Sequence, residues 1–471
     1  MKKKTKIVAT IGPASDNEEI LKELILSGVN VFRINFSHAK HEKVTKLVKL
    51  IRALSEELDE NVAILGDLQG PKLRLGEIEP NTILKKGQDI ILTSKEIKGD
   101  ASRLYITYED LHKDAKVGEK ILLDDGKLIL RVNKIENEEV YCIVEQGGEI
   151  KSNKGVNLPQ TKVSLPALTD KDKEDALFAI EQHFDWIALS FVRHASDIQQ
   201  LRDFILEKNV VEIPIIAKIE KPEALDNIDE IIKATDGIMV ARGDLGIEID
   251  MENVPLMQKN LVDKAKMAKK PVIIATQMLE SMLESLTPSR AEVNDIANSV
   301  IDGADAVMLS GETAVGKYPV ETVEKMAQII LKVEEDVRIN VPHKRPEIDD
   351  DRFITDMICF NAAKMVKTAQ VKAILALTVS GYTAFQLSSF RPRAHILIFT
   401  SNKRILSKLN LLWGVTAFYY HAENSTDDTV LEINQIALEK DYVKKGDYML
   451  NLNATPLFKN SLTNTLRLTR A

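Results

Sequence analysis

The chain has little of what would point to several large protein classes. Only two of its 471 residues are cysteine, Cys142 and Cys359. Two thiols cannot build a disulfide framework, so a reducing cytoplasm is the expected compartment. No apolar run approaches the roughly 20 residues that cross a bilayer, and no membrane association is expected. The basic start Met1-Lys-Lys-Lys-Thr-Lys6 is followed only by Ile7–Ile11 and then Gly12-Pro13, too short a stretch for a secretory signal. Low-complexity tracts and repeats of solenoid period are missing. The histidines form no HExxH and the cysteines no CxxC, which removes the common zinc sites. No nucleophile-elbow motif supports a Ser/His/Asp triad. An excess of positive charge is also lacking: 63 Lys+Arg against 71 Asp+Glu leave a net charge of −8. That balance argues against general nucleic-acid binding. It leaves small anionic ligands open, because they respond to local charge.

What is present is a rhythm. Over the first 345 residues, eight short apolar runs rich in β-branched residues recur: Lys6–Ile11, Asn30–Phe36, Val62–Leu68, Trp186–Val192, Ile213–Ile219, Gly237–Gly243, Val272–Gln277 and Ala306–Glu312. Amphipathic stretches of helical character separate them, among them Asn17–Ser27, Lys40–Leu58, Asp170–His183 and Arg290–Asp302. Strands alternating with helices make a parallel sheet. Eight such units favour a closed (β/α)8 barrel over the alternative, a doubly wound open sheet.

One interval breaks the rhythm. Between Leu68 and Trp186 the chain alternates through Thr82–Leu92, Lys120–Leu123, Lys127–Val132 and Val140–Glu145, with turns at Asp125-Gly126 and Gly147-Gly148. This reads as an inserted β domain after strand three, at the catalytic face of a barrel, where it would act as a lid. After Pro342–Pro346 a new alternation begins, with strands at Val371–Val379, Ala394–Thr400, Val415–Tyr420 and Tyr448–Leu452. The expected organisation is therefore α/β: a TIM barrel from residues 1–68 and 169–345, a β-barrel lid at 69–168, and a C-terminal α/β domain at 346–471.

The barrel runs start apolar and end polar. Strand two closes as Arg33-Ile-Asn35-Phe-Ser37, strand five as Lys218-Ile-Glu220, strand six as Arg242-Gly243-Asp244 and strand eight as Ser310-Gly-Glu312. Polar residues two apart share one face of a strand. Strand three adds Asp67, strand four Ser190 and Arg193, and strand seven Thr276-Gln277. These ends meet at one mouth, and so many charges together are costly unless a ligand or metal satisfies them. Carboxylates on adjacent strands, Glu220 and Asp244, suit a divalent cation with an incomplete protein shell, the Mg2+ pattern. Lys218 beside them can hold charge that develops on a transferring group, and Arg33 suits a phosphate. Gly311–Tyr318 nearly matches a phosphate-binding P-loop, but Tyr318 stands where a Ser or Thr must reach Mg2+.

Six segments carry a resemblance. Lys6-Ile-Val-Ala-Thr-Ile-Gly-Pro-Ala-Ser15, Phe32-Arg-Ile-Asn-Phe-Ser-His38, Ile216-Ala-Lys-Ile-Glu220, Gly237–Gly246, Ala275-Thr-Gln-Met-Leu-Glu-Ser-Met282 and Met308-Leu-Ser-Gly-Glu-Thr-Ala314 resemble pyruvate kinase, in order, through about residue 345. The stretch from Ala373 to Ser401 is similar to the family's regulatory domain.

The resemblance implies phosphoryl transfer from phosphoenolpyruvate to ADP, giving pyruvate and ATP in the last step of glycolysis. It implies Mg2+ at Glu220 and Asp244, with Mn2+ as a substitute. Lys218 would stabilise the transferring phosphoryl group and the enolate, and Arg33 would grip the phosphate. Thr276 and Ser310 would lie where the enolate carbon is protonated. Gly243 and Asp244 would receive the substrate carboxylate. Asn35, Ser37, His38 and Arg74 would line the nucleotide side. Thr378, Ser380, Gly381 and Thr383 would form a loop for a phosphorylated allosteric effector, opposite the loop Ala454–Thr465, and the subunits would form a homotetramer.

One departure matters. After strand three the sequence reads Asp67-Leu68-Gln69-Gly70-Pro71-Lys72, where many members carry Thr and Glu at the positions of Leu68 and Lys72. This is similar to a subgroup that does not need K+. The tethered Lys72 ammonium would stand in for the cation near Asn35, Ser37, Asp67 and Leu68. Two rivals remain: another Mg2+-enolate barrel enzyme, such as an aldolase or mutase, and a non-catalytic homologue. The first does not account for the lid insertion. The second would be expected to have lost Lys218, Glu220, Asp244 or Thr276.

Overall fold

A computed structural model describes residues 2–208, 213–336, 339, 345–347, 351–421, 425–455 and 462–471. Eight parallel strands close into a barrel: Lys6–Thr10, Val31–Asn35, Ala63–Asp67, Trp186–Leu189, Ile215–Ile219, Gly237–Ala241, Val272–Ala275 and Ala306–Leu309. The strand period of two sorts their side chains into two apolar layers. Val8, Val31, Leu65, Trp186, Ile216, Met239, Ile273 and Met308 fill the interior. Ile7, Phe32, Ile64, Ile187, Ile215 and Val240 pack outward on the helices. The inward parity then runs on into Thr10, Arg33, Asp67, Ser190 and Lys218. The polar mouth is thus the last layer of the barrel interior, set by register.

Helix ends follow local chemistry. Thr169 and Ser289 close capping boxes at the starts of Asp170–Glu181 and Arg290–Asp302. Gly28, at φ 111°, ends Glu18–Ser27 in the left-handed conformation that glycine adopts without cost.

Between the third and fourth barrel strands the chain builds a six-stranded sheet with its own core, including Leu104, Leu130 and the free Cys142. Burial pushes the Cys142 thiol up to about 12, so it is inert at neutral pH. The C-terminal sheet has five strands, one more than the sequence suggested. Thr465–Arg470 pairs antiparallel with Tyr448–Asn453 at the edge. Its Thr-Leu-Arg-Leu-Thr-Arg alternation carries the strand signal in polar residues, which is why it escaped a search for apolar runs. Pro342 of the expected linker and residues 456–461 of the expected loop Ala454–Thr465 lie outside the described residues.

The C-terminal domain plugs the end of the barrel opposite the mouth. Leu411 completes the interior layer, and the Trp186 indole donates to Lys408 O at 3.1 Å. A buried ion pair, Arg391 Nη2 to Asp305 Oδ2 at 2.7 Å, ties the two domains. No helix among the described residues is long and apolar enough to cross a membrane.

Candidate active site

The mouth is organised around a chain of buried charges. The Arg33 guanidinium donates to Asp67 Oδ2 through Nε at 2.7 Å and Nη2 at 2.6 Å, and to Thr10 Oγ1 at 2.9 Å. The other Asp67 oxygen lies 3.2 Å from Lys218 Nζ. Lys218 Nζ also reaches Glu220 Oε1 at 2.9 Å and donates to Ser190 Oγ at 2.7 Å. Glu220 Oε2 accepts the Phe191 N–H at 2.7 Å. Arg33, Asp67, Lys218 and Glu220 come from strands two, three and five, brought together because strands two and three pair with Asn35 opposite Asp67.

The electrostatics follow from burial and neighbours. Burial opposes the Asp67 carboxylate, yet Lys218 and Arg33 together hold it below the usual range. Burial likewise opposes the Lys218 ammonium, but Asp67 and Glu220 raise its pKa above the ordinary lysine value, so it stays charged. Glu220 shifts the other way: burial raises it, and the charge of Asp244 adds to the rise against the pull of Lys218. Asp244 is half-buried, lines the cleft under the lid, and has no side-chain partner among the described residues. Two carboxylates that repel each other, one with open oxygens, fit a divalent cation. Among the described residues no cluster of three or more His, Cys, Asp or Glu could hold an ion. The pair is a partial shell of hard oxygens, which suits Mg2+ completed by water and substrate.

Several expectations about strand ends are corrected. Strand six stops at Ala241, and Arg242–Glu248 is a helix. Arg242 and Asp244 therefore do not share a strand face. The Arg242 guanidinium turns away, donating to Asp295 Oδ1 at 2.6 Å and Thr276 O at 2.7 Å. Strand eight stops at Leu309, and the buried Glu312 is used locally, accepting the N–H groups of Ser310 and Leu279. Strand seven stops at Ala275, where Thr276 and Gln277 take φ of 70° and 55°. A β-branched residue in that region is strained, and such strain collects at functional sites. The turn aims Thr276 Oγ1 at Gly243 N, 2.7 Å away. A Cβ on Gly243 would stand 3.2 Å from that oxygen, closer than ordinary van der Waals contact.

Other expected residues are dispersed. Asn35 Oδ1 accepts the Ser37 N–H at 3.1 Å, and His38 is exposed beside them. Leu68 is buried in the barrel's outer apolar layer. Lys72 lines the lid cleft together with Asp244, whereas Arg74 does not: its Nη1 donates to Asn153 O at 3.0 Å within the inserted segment. Arg193 holds the segment's return, donating through Nη2 to Leu165 O at 2.5 Å. Asn157 of the insert meets Glu248 at 2.9 Å, and Glu248 also pairs with Lys221 at 2.7 Å. Thr10, Glu248 and Lys221 were not singled out from sequence. Thr10 and Lys221 were findable by extending strand parity and by their position next to Glu220. The P-loop look-alike opens with the short helix Gly311–Ala314, which buries Glu312 and Thr313, and its exposed Lys317 pairs with Glu284. In the C-terminal domain, Thr378 Oγ1 accepts the Gly381 N–H, and Thr383 Oγ1 meets Thr463 Oγ1, both at 3.0 Å.

A closed barrel whose mouth sets an ammonium and a guanidinium beside two carboxylates, under an inserted domain, defines a barrel enzyme built for small anionic substrates. Family models for the pyruvate kinase barrel domain and the pyruvate kinase alpha/beta domain match residues 2–323 and 356–469. The chain belongs to the pyruvate kinase family, and is a phosphotransferase. It is 43% identical over 470 residues to the pyruvate kinase of Geobacillus stearothermophilus, covering 99% of this chain and 80% of that one. It is 42% identical to that of Thermococcus litoralis over 471 residues, covering 99% and 98%. A crystal structure of a pyruvate kinase from Cryptosporidium parvum superposes with a TM-score of 0.92 at 34% identity, over 99% of this chain and 96% of that one.

Proposed function

We propose that this mouth transfers the phosphoryl group of phosphoenolpyruvate to ADP and protonates the resulting enolate to pyruvate. The observation that carries the reading is the buried run Arg33–Asp67–Lys218–Glu220, ending beside Asp244, which has no side-chain partner among the described residues. Glu220 and Asp244 would hold Mg2+, or Mn2+ in its stead, which neutralises charge on the phosphoryl oxygens when bound. Arg33, oriented by Asp67, binds the phosphate. Lys218 holds the negative charge that spreads over the transferring group and then the enolate oxygen. The first turn of Arg242–Glu248, at Gly243 and Asp244, receives the carboxylate, with Thr276 Oγ1 at its edge. Thr276 and Ser310 pass the proton through water. Asn35, Ser37 and His38 face the nucleotide, and Arg74, tied to the insert, follows the lid of residues 69–168 as it closes.

K+ is not required in this reading. Lys72 lines the cleft without an ion-pair partner among the described residues, and buried Leu68 has no side-chain oxygen to offer as a ligand. Pyruvate formation from phosphoenolpyruvate is expected to need ADP and Mg2+ and to proceed at nearly full rate without K+. Pyruvate release without ADP would instead indicate an aldolase- or mutase-like enzyme, and strong K+ activation would remove the role of Lys72. Replacing Gly243 by Ala is expected to raise KM for phosphoenolpyruvate about 10-fold, because the new Cβ crowds the Thr276 hydroxyl. The variant's Tm should stay within a few degrees of wild type.

The loop Thr378–Thr383, between the strand Ala373–Leu377 and the helix Tyr382–Ser389, is proposed to take a phosphorylated effector. A cytoplasmic homotetramer is proposed on the support of the two buried free thiols and the exposed Met251 and Leu256.

A further inference from the structure

The inserted domain is tied to the barrel at its two chain crossings and at one point across the cleft. At that point Asn157 Nδ2 donates to Glu248 Oε1 at 2.9 Å. Among the described residues, no other hydrogen bond or ion pair joins residues 73–162 to the barrel. A carboxylate only accepts, so the amide nitrogen must face it.

Both partners are held firmly. Asn157 lies in the strand Val156–Asn157, which pairs with Lys120–Leu123 in the six-stranded sheet, so it moves with that sheet. Glu248 ends the helix Arg242–Glu248, whose first turn carries Gly243 and Asp244. Lys221, the residue after Glu220, donates from Nζ to the same Oε1 at 2.7 Å. The Glu248 side chain is 1% exposed, and its Oε2 is buried with no hydrogen-bond partner among the described residues. Two donors therefore converge on a single oxygen. Through it the insert, the helix bearing Asp244 and the end of strand five meet.

The two donors have different fates when the insert lifts. Asn157 leaves with its sheet, while Lys221 stays on the barrel. The buried carboxylate thus keeps its counter-ion and is never left as an isolated charge. Only a neutral donor is exchanged, so the contact can open and close. A hydrogen bond to a charged acceptor biases such an equilibrium by about 10- to 100-fold.

We propose that Glu248 is a positioning residue for phosphoryl transfer: it takes Asn157 from the lid and sets the closed lid in register with the helix that presents Gly243 and Asp244. It touches no reacting atom. The proposal rests on the phosphoryl-transfer reading above for its kinetic consequences, and on lid position alone for its structural one.

Asn157→Asp places a second carboxylate against Glu248 and should open the lid. Substrate binding must then drive closure, so KM for phosphoenolpyruvate should rise about 10-fold while kcat stays within about 2-fold. Asn157→Ala, which only deletes the donor, should act in the same direction by a smaller factor. Combining Asn157→Asp with Glu248→Gln exchanges donor and acceptor at constant net charge, and should bring KM back to within about 3-fold of wild type. A merely structural Glu248 would leave the double variant at least as impaired as either single one.

Lid position is read directly by spin labels on Val117→Cys in the insert and Leu206→Cys on the barrel, both exposed sites. The native Cys142 and Cys359 are buried and stay unlabelled. Without substrate, the distance distribution measured by electron double resonance should shift in Asn157→Asp and return in the double variant. An unshifted distribution in both Asn157→Asp and Asn157→Ala overturns the proposal, as does a double variant that restores neither distance nor KM. A shift that the double variant reverses, in a protein that transfers no phosphoryl group to ADP, would uphold the lid contact and sink the phosphoryl-transfer reading instead.

Discussion

Replacing Lys218 by methionine is expected to lower kcat roughly 10³-fold or more, the effect of removing one preorganised donor from a water-poor site. The same change should also destabilise the protein. Lys218 sits between Asp67 and Glu220, each 1% exposed in its side chain. Methionine keeps the length of the side chain but leaves two buried carboxylates without their shared cation. Losing one partner of a buried pair costs about 3–5 kcal/mol, a Tm drop on the order of 10 °C. The ammonium is raised above the ordinary lysine value, so its stabilisation is present at all pH below that value and is lost only as pH rises through its folded pKa. Steady-state assays well below the variant's Tm separate the two effects. Near-normal turnover in a folded Lys218→Met protein would sink the assignment.

Asp244→Asn should produce a loss of activity with the opposite stability signature. The Asp244 carboxylate has no side-chain partner among the described residues and raises Glu220 by repulsion. An isosteric amide relieves that repulsion, so Tm should hold or rise, as expected where a site is kept strained for function. A lost ligand should raise the Mg2+ concentration needed for half-maximal rate by about 100-fold or more, the upper range already seen for supporting residues. Relief of repulsion should also bring Glu220 back toward the ordinary carboxylate range, which titration of the carboxyl resonances can follow. Loss of stability with unchanged Mg2+ dependence would make Asp244 a structural residue. Together the two variants distinguish a residue that holds the mouth together from one that the mouth keeps under tension.

Much of this was legible in the sequence because it depends on a period of two. Alternation along each barrel strand sorted Val31, Arg33 and Asn35 to one side and Phe32 and Ile34 to the other, and the structure keeps that sorting. The same rule misled where the strand ended early. Arg242 and Asp244 were read as one face of strand six, but they lie in the first turn of a helix, where residues two apart diverge. Glu312 looked like a further mouth carboxylate and is instead consumed by two backbone N–H groups. Arg193 looked like a mouth cation and holds the lid's return segment. A sequence shows which side chains have charge to offer; the demands that neighbouring backbone makes on that charge are not written in it.

The sequence by itself determined the barrel, the insertion after strand three, the C-terminal α/β domain and the identity of the charged residues. Each of these follows from composition and local periodicity, which act over a few residues. Tertiary structure alone decided how the charges are shared. Asp67 is bound by both Arg33 and Lys218, Glu220 is raised while Asp67 is lowered, and Thr276 takes a left-handed turn to meet Gly243. These outcomes depend on which strands are neighbours in the closed barrel and on how far water is excluded from its mouth. Both are properties of the assembled fold, since Coulomb interactions and desolvation depend on distance in space and not on distance along the chain.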